Sequence, residues 1–400
     1  MNSDSTQVPV RGGPLFICAL AFLTAFAPMA VDMYLPALPA MGRTFSVSQE
    51  AVQWSLSAFF LGYGAGQLVW GPLGDRFGRR GPAAVGIVLF VAASIGCALA
   101  PSIEMVIACR FVQAVGACAA PVLARAMVRD IFAGDKAASV LSLMMVVMGV
   151  APMIAPLIGG QLLAFFDWRA VFWALAAFGV FGLAILSRLP ETLPQDRRIP
   201  ARPSSMIKGY AQLMANRTYM GYALCGGFIL AGLFAYISGT PFVYIEIFGV
   251  SPQAYGLLFG LNAVALMIGN SINSRAVLKF GKDRILAVAC GLATTFGAIL
   301  LAAGATGYGG LPGIVVPLFF FMSNVGVIIA NAMAGALGVF PRIAGSASAL
   351  AGSFQFAFGA AAGWAVAALA DGTPLPMTAV IFTVSLGALA SYLLLVRWAR

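Results

Sequence analysis

Apolar positions along this chain form long blocks rather than the alternating faces of a soluble helix or strand. Residues 83–99, for example, are apolar on every side, whereas a soluble core helix keeps a polar face. About 20 apolar residues let a helix cross a bilayer, so these blocks predict membrane-spanning helices. The twelve predicted spans lie near 14–38, 51–70, 82–100, 104–124, 139–164, 168–188, 218–241, 254–274, 285–305, 312–335, 346–369 and 376–396.

Composition supports lipid as the solvent for most of the surface. The chain is 61% hydrophobic and 9% charged, whereas soluble domains carry about 25% charged residues. The first apolar block lacks a small-residue cleavage site and precedes further spans, so we interpret it as a retained helix.

Composition also narrows the chemistry. The chain has no histidine, and its six cysteines lie in apolar blocks without a CxxC pair. Neither a GxSxG nor a P-loop sequence occurs. We therefore expect no enzyme activity, metal site or cofactor, with a membrane enzyme or sensor as the weakest alternative.

One long polar stretch, 190–217, divides the spans into two sets of six. Its prolines and arginines are typical of a linker. They are Pro190, Pro194, Pro200, Pro203, Arg197, Arg198 and Arg202. The predicted organisation is an all-α membrane protein with an amino-terminal six-helix bundle (1–189), a cytoplasmic linker (190–217) and a carboxy-terminal six-helix bundle (218–400).

Basic residues are distributed unevenly between the two sides of the predicted membrane. With the amino terminus in the cytoplasm, 20 of the 23 Lys and Arg fall in cytoplasmic loops or termini. Arg43 and Arg169 fall on the opposite side, and Arg110 lies within a span. The positive-inside rule therefore predicts that both termini are cytoplasmic. It also explains the net charge of +10 without a nucleic-acid partner.

Asp32 lies inside the first apolar span, where an ionised side chain costs at least about 2.5–3.5 kcal/mol. Pro36, four residues later, removes the helical donor to the Asp32 carbonyl group. A carboxyl group here is suited to binding and releasing a proton as water access alternates between the two sides. The alternative is an aspartate near the outer interface that only caps an opened turn.

Arg110 lies in the fourth span, about two turns from the outer loop, and Gln113 follows three residues later on the same face. Arginine does not deprotonate in proteins, so it is not a proton carrier. It supplies a fixed positive charge that can tune a carboxylate or hold a polar partner. The alternative is a structural arginine satisfied by backbone carbonyl groups.

The fifth span contains Pro152 and Pro156, flanked by Gly149, Gly159 and Gly160. Each proline removes a backbone donor from the same face, and the glycines allow close approach of a neighbour. This pattern predicts a kinked helix that packs tightly.

Residues 71–80, between the second and third spans, are predicted to form a tight turn with glycines at its bends. Asp75 lies beside Arg76, Arg79 and Arg80, so it can form ion pairs or cap a neighbouring helix.

These segments resemble signatures of the major facilitator superfamily. Residues 71–80 resemble its loop between the second and third spans. Residues 110–116 and 155–160 resemble the fourth-span and fifth-span motifs of its drug:proton antiporters, each with one alanine where glycine is usual. Residues 32–39 resemble the first-span signature of the bicyclomycin/chloramphenicol-resistance (Bcr/CflA) branch. In the second half, 278–283 looks like a degenerate copy of the loop, with leucine in place of the acid.

The resemblance implies alternating access, in which two bundles rock about a central site. It implies that Asp32 exchanges a proton with substrate, and that Arg110 and Gln113 tune or relay that proton. The loop residues implied to control the conformation are Gly71, Gly74, Asp75, Arg76, Gly78, Arg79 and Arg80. The residues implied to shape the hinge helix are Gly149, Pro152, Pro156, Gly159 and Gly160. The second half shows no convincing intramembrane charge, so coupling is expected in the first half.

The leading hypothesis is proton-coupled export of small amphipathic compounds, a multidrug or antibiotic efflux activity. It implies a monomer in the bacterial inner membrane whose partners are the substrate, protons and lipid. The residues expected to line the substrate site are Asp32, Tyr34, Gln113, Met148, Tyr236 and Gln355. The alternative is a proton-coupled uptake symporter for a small metabolite, which the same fold supports but the fifth-span motif disfavours.

Overall fold

The computed structural model describes residues 13–132, 134–195, 198, 210–340 and 343–397, and regular structure in this part is helical. The first span consists of Pro14–Thr24, Phe26–Asp32, a 3-10 turn at Leu35–Ala37, and Leu38–Phe45. The second to sixth spans are Gln49–Phe77, Arg80–Ala98, Ile103–Ile131, Gly134–Phe165 and Arg169–Ser187. The seventh to twelfth are Arg217–Pro241 with a π segment Phe242–Ile247, Pro252–Phe280, Lys282–Thr306, Gly310–Val339, Ala344–Ala368, and Leu375–Ser391 with a π segment Tyr392–Arg397.

All twelve predicted spans are present as helices. Eleven of the described helices are long and apolar enough to cross a membrane by length and composition. The other is Gln49–Phe77, which has the length, at 29 residues, but a more polar composition. It packs against the fourth and eleventh spans and buries Gln53, Ser55 and Ser57. A helix surrounded largely by protein does not require a lipid-compatible surface.

Polar side chains begin several of the helices by accepting a hydrogen bond from a backbone N–H of the first turn. Ser48, Ser102, Asn216 and Ser251 accept such bonds at the starts of the second, fourth, seventh and eighth spans. Because these N–H groups have no partner within the helix, such caps define where each helix begins.

The spans pack as two groups of six that meet along two seams. Within each group neighbouring helices make extensive contact, as the second does with the fourth and the seventh with the eleventh. Between groups, the second span packs on the eleventh and the fifth packs on the eighth. The seventh span is 78% buried over its apolar window, whereas the fifth is 24% buried. The seventh is therefore a central helix, and much of the fifth faces lipid.

The predicted turn over 71–80 is wrong in extent, because the second helix continues to Phe77 and the third begins at Arg80. Gly78 alone makes the bend, with φ +94°, a conformation that favours glycine. Gly74 remains helical, and its bare Cα lets the Leu123 side chain approach closely. Glycine signals a bend or a close approach equally well, and sequence does not distinguish them.

The predicted linker 190–217 is described at 190–195, at Arg198 and from residue 210 onward. Outside the described residues lie Arg197, Pro200, Arg202, Pro203 and Lys208 of this linker, and also Arg11, Arg342 and Arg400. The domain boundaries at 189 and 218 stay a prediction.

Candidate functional site

The first span is broken at the level of its buried acid. Helix Phe26–Asp32 ends at Asp32, and the 3-10 turn that follows contains Pro36. Proline has no N–H to bond the carbonyl group of Asp32, so the regular helical bonding stops there. The break therefore places a backbone carbonyl group without its helical donor and the Asp32 carboxyl group at the same depth in the molecule.

Arg110 is completely buried beside this break. One guanidinium nitrogen, Nη1, donates to the Ala30 carbonyl oxygen at 2.9 Å and to Gln113 Oε1 at 2.6 Å. The guanidinium lies between two rings, 4.1 Å from the centroid of Tyr34 and 4.3 Å from that of Phe59. Such a cation–π sandwich stabilises a charge that is removed from water.

The network continues from Gln113 to the third span. Gln113 Nε2 donates to Ser94 Oγ at 2.7 Å, and Ser94 in turn donates to the Phe90 carbonyl oxygen at 2.7 Å. The Tyr34 hydroxyl lies 3.0 Å from Ser55 Oγ in the second span. The first four spans are therefore tied together around one fixed positive charge.

Asp32 is 4% exposed and is not an ion-pair partner of Arg110 within 4.0 Å. Among the described residues its carboxyl group accepts no hydrogen bond. The 3-10 turn after Asp32 contacts the seventh and eighth spans, which carry Tyr236 and Tyr255. The acid therefore lies on the side of the first span that faces the second half.

The fifth span joins the two halves through its glycines. A Cβ atom at Gly159 would collide with the Met33 carbonyl oxygen of the first span. One at Gly160 would lie 2.7 Å from the Pro252 carbonyl oxygen of the eighth span. Pro152 and Pro156 are accommodated inside the continuous helix Gly134–Phe165. The predicted close packing is present, and it involves the residue next to Asp32.

Arg79 is the centre of the charged loop. It donates from Nη1 to Asp75 Oδ1 at 2.6 Å and from Nε to Asp130 Oδ2 at 2.9 Å. Burial disfavours the charge on Arg79, but the hydrogen bonds to Asp130 and Asp75 outweigh it and raise its pKa. Glu191, from the segment after the sixth span, accepts from the backbone N–H groups of Arg79 at 2.7 Å and Arg80 at 3.1 Å.

The remaining predicted loop residues lie at the edge of this network. Arg76 lies 5.0 Å from the centroid of the Phe77 ring, and Arg80 donates to the Ser187 carbonyl oxygen at 2.9 Å. An added Cβ at Gly71 would meet nothing within 4 Å. Packing does not require glycine at this position.

The residues predicted to line a substrate site separate into two groups. Tyr34 and Gln113 share the Arg110 network, and Tyr236 lies on the seventh span, which contacts the 3-10 turn after Asp32. The other two predicted residues, Met148 and Gln355, lie elsewhere in the packing. Met148 is half-buried in the fifth span, and Gln355 is buried in the eleventh beside Gly226 of the seventh.

Sequence reasoning missed several polar residues that the structure buries or half-buries. Tyr255 and Asn262 lie beside Tyr236, and Asp130 and Glu191 complete the Arg79 network. An asparagine within an apolar span was a usable signal for Asn262. Nothing in the sequence marks Tyr255 apart from other membrane aromatics.

The degenerate second-half loop, 278–283, has leucine at the position of the acid, but it ends with an acid. Leu278 is 87% exposed, and the acid is Asp283, at the start of the ninth span. The Tyr222 hydroxyl donates to the Asp283 carboxylate, and Lys282 Nζ lies 3.1 Å from it. The two halves thus each place an acid and a base at equivalent loops.

Twelve long helices in two groups, with a buried acid that faces the interface and a buried arginine inside the first group, define a multi-pass membrane transporter rather than an enzyme. The chain belongs to the Major Facilitator Superfamily, whose family model matches residues 20–364. It is 40% identical over 377 residues to an uncharacterised MFS-type transporter of Bacillus subtilis, covering 93% of each chain. It is 35% identical over 364 residues to a bicyclomycin resistance protein homolog of Haemophilus influenzae, covering 91% of each.

The fold also matches solved transporter structures. A D-xylose-proton symporter superposes with a TM-score of 0.72 at 15% identity, covering 95% of this chain and 97% of that one. At this identity the likeness shows the fold alone.

Proposed function

We propose that this protein exports small amphipathic compounds, of the kind handled by multidrug and antibiotic efflux systems, in exchange for protons. The observation that carries the proposal is the buried Asp32 carboxyl group at a helix break, facing the second half of the molecule. A carboxylate taken out of water without a partner is costly, so a carboxyl group in this position is suited to taking up a proton. When water reaches it from one side, it can release its proton.

Arg110 has the complementary role in this proposal. It donates only through Nη1, and within the described residues its Nε and Nη2 have no hydrogen-bond partner. These two donors belong to a fixed positive charge that is buried next to the first-span break. Gln113 orients the guanidinium, so we assign Arg110 and Gln113 to tuning rather than to carrying the proton.

Alternating access follows from the two seams. As the bundles rock, Asp32 is exposed to one side and then the other, which couples its proton to substrate movement. The glycines of the fifth span keep that helix against the first and eighth spans, so we assign it as the pivot. The Arg79 network holds the loop between the second and third spans against the segment after the sixth.

Orientation and location complete the proposal. The excess of basic residues in alternate loops favours cytoplasmic termini. We place the protein in the bacterial inner membrane as a monomer, with protons, substrate and lipid as its partners and no cofactor. The relative named as a bicyclomycin resistance protein homolog favours export over uptake, a choice that the fold alone does not make.

The test is gradient-driven transport by purified protein in liposomes. Asp32→Asn is expected to reduce uphill transport to the background of empty liposomes, because the amide cannot exchange a proton. Substrate exchange without a gradient should persist. Asp167→Asn, whose side chain is 62% exposed, is the matched control and should behave as the unmodified protein. Uphill transport by Asp32→Asn at the unmodified rate would disprove the assignment.

A further inference from the structure

An open groove runs along the seam between the fifth and eighth spans. It has a volume of about 620 Å³, and its walls come from both halves of the molecule. Val150 and Ile154 line it on the fifth span, and Ile268 lines it on the eighth. Apart from Ser271 and Arg275, the described residues that line the groove are apolar.

The size of the side chains along the eighth span explains where the groove begins. Residues at four-residue spacing on this helix are Gly256, Gly260, Val264, Ile268 and Ile272. A Cβ atom at Gly256 would lie 3.1 Å from a backbone nitrogen of the fifth span, so the helices touch there. One at Gly260 would lie 4.0 Å from a backbone oxygen of the same helix. Beyond this point larger side chains widen the seam.

The groove lies on the lipid side of the seam. Tyr255, Phe259 and Asn262 are buried and mark the side of the eighth span that faces protein. Ile268 and Ile272 lie on another face of the helix, and they are 45% and 63% exposed. A patch of exposed apolar side chains on a membrane span is a surface for acyl chains.

The length of the groove matches one leaflet of a bilayer. The eighth span has 29 residues, so its middle lies at Leu266, close to the inner end of the groove. With the helix centred on the bilayer, Arg275 is nine residues from the middle, or about 13 Å. Half of the hydrocarbon core is about 15 Å thick. Arg275 therefore lies at the level of the phospholipid headgroups, on the side predicted to be cytoplasmic.

Arg275 supplies a charge that complements an anionic headgroup. Its side chain is exposed, and none of the ion pairs among the described residues involves it. The other polar residue of the groove, Ser271, donates its hydroxyl to the Met267 carbonyl oxygen at 2.8 Å. A guanidinium group binds phosphate through two parallel hydrogen bonds. Basic residues at the cytoplasmic surface attract anionic lipids.

We propose that one anionic phospholipid of the cytoplasmic leaflet binds in this groove, with its phosphate on Arg275 and one acyl chain between the fifth and eighth spans. Because the walls belong to both halves, the bound lipid contacts both and favours the arrangement in which the groove is open. A zwitterionic phospholipid fits the same groove but carries a cancelling positive charge, so it binds less well. This inference concerns lipid and does not depend on the substrate or direction of transport.

The experiment measures the lipid retained by the purified full-length protein in native mass spectra, with phosphatidylglycerol and phosphatidylcholine of the same acyl chains supplied in equal amounts. The unmodified protein should retain one phosphatidylglycerol in preference to phosphatidylcholine. Arg275→Gln should lower this preference about fivefold, the effect of one basic residue near an anionic headgroup. Arg284→Gln is the matched control, because Arg284 is also exposed at this end but lies over the Phe280 ring, outside the groove. It should leave the preference unchanged.

A second pair of variants tests the groove itself without changing a charge. Ile154→Trp places an indole ring in the groove, so the retained lipid should be lost for both headgroups. Ile158→Trp adds the same ring one turn further along the fifth span, outside the groove, and should retain the lipid. Both side chains are exposed, at 46% and 37%, so the melting temperatures of the two variants should stay near that of the unmodified protein.

Three results would overturn the inference. The first is an equal preference for phosphatidylglycerol in Arg275→Gln and the unmodified protein, or no preference in either. The second is an equal loss in Arg275→Gln and Arg284→Gln, because it would show a general attraction of the lipid to basic residues. The third is a dimer that carries no lipid, because a second copy would then cover the groove. None of these results bears on export, which Asp32→Asn tests separately.

Discussion

At the scale of single residues, Arg110 shows how this molecule keeps a charge away from water. Its guanidinium is enclosed by two rings, one backbone carbonyl group and one side-chain amide. These contacts require a flat cation with several donors in one plane. Lysine has neither property, although it carries the same charge.

We therefore expect Arg110→Lys to lower gradient-driven transport at least about tenfold, since hydrogen bonds to charged groups contribute about 1.5–3 kcal/mol. The melting temperature should fall as well. Arg169→Lys is the matched control, because Arg169 also lies over a ring, Trp168 at 4.3 Å, but its side chain is 33% exposed. Unchanged transport and stability in Arg110→Lys would contradict the enclosed-cation interpretation.

How far the sequence predicts the site depends on residue type. Asp32 and Arg110 were identified because a charge in an apolar span is expensive and therefore conspicuous. Tyr255 and Tyr244 were not identified, because an aromatic residue in a membrane span can face lipid, pack against another helix or line a binding site. The contact between Arg110 and Gln113 was predictable from their spacing, whereas the position of Asp32 relative to the seventh span depends on how the two halves meet.

At the scale of elements, the fifth span contacts the first and eighth spans through closely packed glycines. Its glycines differ in what surrounds them. Gly159 faces the Met33 backbone so closely that a methyl group would overlap it, whereas a Cβ at Gly149 would meet Met267 side-chain atoms at 3.8 Å. A Cβ atom at Gly159 would therefore force the first and fifth spans apart, whereas one at Gly149 would make only an ordinary van der Waals contact.

Gly159→Ala should therefore push the fifth span away from the first-span break, with a destabilisation of about 1–3 kcal/mol, typical of overpacking. We expect a lower melting temperature and a large loss of transport. Gly149→Ala should leave both near their unmodified values. The two variants add the same methyl group to the same helix, so equal behaviour would show that the contact with Met33 has no role.

Helix boundaries were predicted less well than helix existence. The blocks of apolar residues identified twelve spans, but the second helix extends seven residues beyond its predicted end at 70, to Phe77. The length of an apolar block indicates only the part of a helix that lies inside the bilayer. The backbone hydrogen bonds of the helix continue beyond it into water until a residue interrupts them. The interruption comes only at Gly78, whose positive φ breaks the helix.

At the scale of the whole molecule, the asymmetric distribution of basic residues makes a topological prediction. In a variant without native cysteines, Cys introduced at Asp371 should react with a membrane-impermeant thiol reagent in intact cells. Cys introduced at Arg188 should react only after the membrane is opened. The reverse pattern would mean that the termini face outward and that the direction of proton flow must be reassigned.

The contacts between the two halves are mainly rings and close backbones. Phe60 of the second span stacks on Phe234 of the seventh with centroids 3.8 Å apart, and Tyr63 lies 4.5 Å from Phe356 of the eleventh. Gln53 Nε2 adds a hydrogen bond of 3.2 Å to the Ser238 carbonyl oxygen. Such contacts depend on shape and are lost together when the halves move apart.

The ion pair between Arg43 and Glu246 joins the halves at the end distant from the linker. Its atoms are 3.5 Å apart, and its side chains are 68% and 42% exposed. A pair this open to water contributes at most about 1 kcal/mol and weakens as salt is added. The outer end of the interface is therefore held closed mainly by shape complementarity and not by this ion pair. High external ionic strength should scarcely change how often that end opens.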